Sequence, residues 1–181
     1  MRTFALILTG LYVAYSVPAA ETPRPAPELT MQRSSTAPLP LSQFRGKVVA
    51  LAFIHTTCSH CQDLTRILKV IQKDYQARNV QVVTCAFEDG ANNNYPMYLK
   101  AFEPNFATGY TTEAVVKKYL KWNDKTDGIL MIPYMIFIDA RGIIRGDFNG
   151  KDGFFAESDK HIRAELDKML KTAAKPAAKK Q

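Results

Sequence analysis

The residues best equipped for chemistry in this 181-residue chain lie in HTTCSHCQDL, residues 55–64. Cys58 and Cys61 stand two residues apart with Ser59 and His60 between them. Thiols at that spacing can share a metal ion, lock as a structural disulfide or exchange electrons. The pair falls between an apolar run, VVALAFI (48–54), and a segment with Leu64, Ile67, Leu68 and Ile71 at helical spacing. A strand ending and a helix starting there put Cys58 at the helix N-terminus, before unpaired main-chain N–H groups and the positive end of the helix dipole. Both favour thiolate over thiol, and the thiolate is the attacking species. Cys61, one turn further in, is placed to attack a mixed disulfide on Cys58 and release the product. Ser59 and His60 sit where they tune the pair, His60 by adding positive charge when protonated.

The rival uses fit less well. A structural zinc site wants four ligands, usually from two separated pairs. Only Cys85 and the scattered His55, His60 and His161 remain, with no second pair at ligand spacing. Covalent haem attachment needs histidine directly after the second cysteine, where this chain has Gln62. A structural disulfide over two residues closes little chain entropy. Electron exchange is therefore the reading retained, and it calls for no metal or other cofactor. Cys85, inside VVTCAF, reads as a small buried hydrophobe. Trp122 is either a core anchor or an exposed residue, and Asn92, Asn93 and Asn94 read as a helix start.

The elements that must hold the pair follow from apolar patterning. VVALAFI is a strand covered on both faces, the residues after the cysteines an amphipathic helix, and VQVVTCAF (80–87) a second buried strand. Two weaker helices are expected at Tyr95–Phe102 and Thr112–Leu120, joined by PNFATGY. IPYMIFID (132–139) and IIRGDF form a hairpin around the turn ARG, and Ile162, Leu166, Met169 and Leu170 mark a final helix. Helical crossovers make the first pairing parallel, and the short turn makes the last antiparallel. The expected class is α/β with a mixed central sheet, in one domain over residues 41–172.

The flanks differ in composition. Residues 1–20 carry one positive charge (Arg2), an apolar run from Phe4 to Val17 and small residues about Ala19. That is the pattern of a secretory signal peptide, with an uncleaved membrane anchor as the alternative. Residues 21–40, with five prolines, read as an extended linker with a short edge strand near Leu29–Met31. Residues 173–181 read as a basic disordered tail that accounts for part of the +7 net charge. Its lysines lack an aromatic platform or recognition helix, so no nucleic-acid partner is expected.

Taken together, LSQFRGKVVALAFIHTTCSHC, the helix after it and IPYMIFIDARGIIRGDFNG resemble the thioredoxin superfamily. Within it they are most similar to the secreted TlpA/ResA-like thiol–disulfide oxidoreductases of AhpC/TSA type, over roughly residues 39–170. The resemblance implies a three-layer α/β/α sandwich with an insertion, Gly90–Gly128, between the second strand and a strand opened by a cis-proline. The matching proline is Pro133, and the backbone of Ile132 before it would bind an extended substrate segment. It also implies protein thiol or disulfide substrates, a redox partner protein, a monomer, and a periplasmic or otherwise secreted location. Membrane association would come only from an uncleaved N-terminus. Thr57, Ala52 and Arg66 stand where such proteins commonly carry tryptophan, a buried acid and a kinking proline. His55 and Glu88 are then the candidates for proton transfer with Cys61, each against the plainer reading of a solvated side chain. The resemblance points to a reductase, whereas His60 beside Cys61 resembles the oxidising DsbA-type site. Two other classes remain: a Sco-like copper-binding chaperone, which FIHTTC resembles but in which the two cysteines stand one residue further apart than Cys58 and Cys61, and a peroxidase, for which His55 replaces the usual threonine.

Overall fold

Every side chain of VVALAFI is buried, because the computed structural model places this segment, β4 (Val48–Ile54), in the interior of a sheet. The structure describes residues 22–173. The expected signal segment, 1–20, lies outside the described residues, as does the expected tail except for Ala173, which ends the last helix.

On one side of β4 runs β5 (Val80–Ala86), parallel to it, and beyond that β6 (Ala107–Tyr110). On the other side lie β7 (Tyr134–Ile138), antiparallel to β4, and β8 (Ile143–Phe148), antiparallel to β7. A two-residue strand, β1 (Arg24–Pro25), pairs with β8, and the six-stranded order is β1-β8-β7-β4-β5-β6. Period-two alternation divides β4 between two cores. Ala50, Ala52 and Ile54 face α1 (Ser59–Tyr75), α2 (Ala91–Phe102) and α5 (Ser158–Ala173). Val49, Leu51 and Phe53 face α3 (Glu113–Leu120) and the N-terminal segment. A mixed sheet with helices on both faces is the expected three-layer class, and α2, β6, α3 and the short α4 (Asp124–Asp127) make up the insertion.

Two expectations need correction. Residues 24–40 are extended but are not a linker outside the domain. Leu29, Met31 and Leu39 pack in the second core, and β2 (Thr30–Met31) pairs with β3 (Leu39–Pro40). Arg24, itself buried, forms an ion pair with Asp147 at 3.0 Å. The prolines keep the chain extended, while the apolar residues between them supply one face for burial. The second correction is β6, which falls within the segment read as a helix connection. It is a four-residue edge strand with a glycine inside it, too short to announce itself by periodicity. A Cβ on Gly109 would stand 2.7 Å from the Met31 Cβ, so the missing side chain is what lets the N-terminal segment close over β6.

Candidate active site

The cysteines occupy the link between β4 and α1. Cys58 is the N-cap residue, with extended backbone (φ −79°, ψ 123°), and its carbonyl accepts the first helical bond from Gln62 N–H at 3.0 Å. Its side chain is half-buried, and Cys61 is completely buried behind it. Both are free thiols in the structure. Burial is the main force pushing the Cys61 thiol up. The neighbouring Cys58 and the charge of Glu88 push the same way, and the His55 main chain pulls it back. At neutral pH Cys61 is therefore a protonated thiol that must lose its proton before it attacks. The outer cysteine is open to a substrate and the inner one is shielded.

Ser59 and His60 are exposed on the first turn of α1. The Ile132–Pro133 bond is cis, as the resemblance implied, and Pro133 is buried while Ile132 is partly buried. Phe53 pairs with Tyr134, so Pro133 stands at the end of β4 where the chain turns into the cysteine loop. The structure places Cys58, Cys61, Ile132 and Pro133 at one end of the sheet. Tyr134 is tied down from two sides: its hydroxyl donates to Asp147, and the Trp122 ring meets it edge-on at 6.2 Å. Trp122 packs, partly buried, against the second core, its Nε1 donating to the Gly128 carbonyl at 3.0 Å. Beside the cysteine loop a groove of about 190 Å³ is lined by Thr56, Thr57, Gln62, Met97 and Phe102.

Three residues that the sequence did not single out shape this end of the sheet. Gly150 packs so tightly on Ile132 that an added Cβ would lie 2.8–2.9 Å from its main-chain atoms, and its N–H donates to the Met131 carbonyl at 3.3 Å. The only hint was its place at the end of the GDFNG stretch. A Gly150→Ala substitution should push Ile132 out of position. We expect a several-fold rise in KM for a protein disulfide, with reaction of Cys58 toward a small disulfide unchanged, measured by steady-state kinetics on both substrates. Thr56 and Gln62 are the others. Gln62 Nε2 donates to the Thr56 carbonyl at 2.9 Å, and Thr56 donates both its N–H, at 3.0 Å, and its hydroxyl to Glu88 Oε1.

His55 and Glu88 are each partly buried. His55 Nε2 and Glu88 Oε2 are both buried, and neither has a hydrogen-bond partner among the described residues. The His55 ring lies edge-on to Phe87 at 4.6 Å. Cys85 is completely buried in the core on the opposite face of the sheet from Cys61, which removes it as a redox partner of the pair and pushes its own thiol up. His161, the only histidine after Cys61, donates Nδ1–H to the Phe154 carbonyl at 2.8 Å within the α5 region. Among the described residues no three His, Cys, Asp or Glu side chains gather to hold a metal ion.

A parallel β4–β5 pair, an antiparallel β7–β8 hairpin and a Cys–x–x–Cys at the head of α1 define a thioredoxin-fold protein. The pattern of the AhpC/TSA family matches residues 23–146, and the chain belongs to that family. Among solved structures it is similar to a thioredoxin-family thiol:disulfide interchange protein from Chlorobium tepidum TLS. Identity there is 23%, coverage is 84% of this chain and 99% of that one, and the TM-score is 0.65. A thiol:disulfide interchange protein from Bacteroides sp. is 18% identical, with 87% and 95% covered and a TM-score of 0.65. The thioredoxin domain of a thiol-disulfide oxidoreductase from Bacteroides vulgatus is 17% identical, with 81% and 98% covered and a TM-score of 0.63. These likenesses define the fold. No curated protein matches the sequence.

Proposed function

We propose that this protein is an extracytoplasmic dithiol–disulfide oxidoreductase that works on protein substrates as a reductase. The observation that carries the reading is the pairing of a half-buried Cys58 at the helix N-cap with a fully buried Cys61 one turn behind it. In the reductive direction, the Cys58 thiolate attacks one sulfur of a substrate disulfide, and the other leaves as a thiolate and is protonated. Cys61, once deprotonated, attacks Cys58 Sγ; the Cys58–Cys61 bond forms and the second substrate thiol is released. Two electrons have moved to the substrate, and a partner protein restores the dithiol.

Ser59 and His60 tune the potential from the exposed first turn. The main chain of Ile132, freed by Pro133, receives the substrate segment in β fashion. The site works without a metal or organic cofactor. The N-terminal composition and the thiol:disulfide interchange names of the structural neighbours support action outside the cytoplasm. Among the described residues no helix is long and apolar enough to cross a membrane. The copper-chaperone alternative has less support, because His161 is engaged with Phe154.

Turnover with insulin as the disulfide substrate tests the reading. The intact protein should accelerate its reduction by dithiothreitol, and Cys58→Ser should fall to the uncatalysed rate. Equal rates for the two proteins would reject it. Direction is read from the pair's reduction potential: about −270 mV fits a thioredoxin-like reductase, and about −120 mV a DsbA-like oxidant.

A further inference from the structure

The buried Cys61 thiol needs somewhere to send its proton, and the usual acid position on β4 is Ala52, which offers none. β4 and β5 run in register to Ile54 and Ala86, and Phe87 N–H donates to the Ile54 carbonyl at 3.2 Å. One step on, Thr56, two residues before Cys58 in the chain, meets Glu88 across the strand ends. Thr56 gives both of its donors to Glu88 Oε1, while Gln62 from the first turn of α1 holds the Thr56 carbonyl. The carboxylate is thus locked to the base of the helix that carries Cys61. Its other oxygen, Oε2, is buried without a partner. A carboxylate oxygen withheld from both water and donors is costly to keep, unless it accepts a proton at some stage of a cycle.

We propose that Glu88 is the proton acceptor for Cys61 and that Thr56 is the positioning residue that aims it; this rests on the dithiol reading above. Other titratable groups face the same place. Cys58 comes from the head of α1 and His55 from the loop before it, its ring turned to Phe87. Tyr98 comes from α2, its hydroxyl bonded to Thr65 Oγ1 at 3.1 Å. His60 and Asp89 are exposed. The depressed acidity of Cys61, set first by burial and in part by the Glu88 charge, agrees with a neighbouring carboxylate. With a substrate bound to Cys58 through a mixed disulfide, the Cys61 S–H proton passes to Glu88. The Cys61 thiolate attacks Cys58 Sγ, the Cys58–Cys61 bond forms, and the bond from Cys58 to the substrate sulfur breaks. The substrate leaves with the electron pair and takes the proton back from Glu88, which restores the carboxylate.

The test is a single turnover of the reduced protein with 5,5′-dithiobis(2-nitrobenzoate), which releases one coloured thiolate when Cys58 attacks and a second when Cys61 resolves the adduct. Glu88→Gln keeps the acceptor for Thr56 but cannot take a proton. It should leave the first phase unchanged and slow the second on the order of 100-fold near neutral pH. The deficit should shrink as pH rises and hydroxide takes over the deprotonation. Thr56→Val should slow the same phase by a smaller factor, and Asp89→Asn should match the intact protein. A second phase in Glu88→Gln equal to that of the intact protein across the pH range would overturn the proposal and leave the dithiol reading standing. Release of only one equivalent of coloured thiolate by the intact protein would overturn the dithiol reading itself.

Discussion

Cys61→Ser should convert this protein from a turning-over enzyme into a trap. Cys58, half-exposed at its N-cap, keeps its ability to attack a disulfide. The fully buried inner thiol that would displace the product is gone, so the variant should accumulate a covalent adduct approaching one equivalent. Non-reducing mass spectrometry after incubation with insulin would detect it as a species of added mass that dithiothreitol removes. Multiple turnover should fall to background. Cys58→Ser, by contrast, should trap nothing, because Cys61 has no solvent access from which to attack first. Equal trapping by the two variants would show that the outer and inner roles are wrongly assigned.

The largest expected effect on stability lies away from the cysteines. Phe137, completely buried near the end of β7, meets Phe148 edge-on at 5.8 Å and Phe154 at 5.9 Å, and those two rings stack at 4.0 Å. The cluster joins the β7–β8 hairpin to the segment that leads into α5. Phe137→Ala removes the middle ring and leaves a cavity that the sheet is too rigid to close. A loss of about 3–5 kcal/mol follows, against a typical domain stability of about 5–15 kcal/mol. Thermal unfolding of the reduced protein should shift down by roughly 10 °C. An unchanged melting temperature would mean that this cluster is not the hinge between hairpin and helix. At low temperature, where the variant is still folded, the reaction of Cys58 with a small disulfide should be unaffected.

Residues that act through local pattern were legible before the structure, and residues that act through contact were not. VVALAFI could only be a strand covered on both faces, and Leu64, Leu68 and Ile71 fixed the face of α1 that turns inward. Those two elements placed Cys58 outside and Cys61 inside, which is most of the site. Pro133 came from resemblance, because nothing in its neighbours distinguishes a cis bond from an ordinary strand opening. The N-terminal segment misled because proline content reads as linker, whereas the burial of Leu29, Met31 and Leu39 depends on a core contributed by distant elements. Glu88 and Thr56 lie 32 residues apart and meet only because β4 and β5 run in parallel register. Gly150 acts through a side chain it lacks, so its closeness to Ile132 has no signature in spacing or polarity.

The central claim is that Cys58 and Cys61 pass reversibly between dithiol and disulfide. The direct measurement is to equilibrate the protein in a graded series of thiol–disulfide buffers, quench with an alkylating reagent and locate the modified cysteines by mass. Cys58 and Cys61 should change state together in one two-electron transition centred at about −270 mV, with Cys85, sealed in the opposite core, taking no part. A pair that stays bridged, or stays as two thiols, across the whole series would contradict the account.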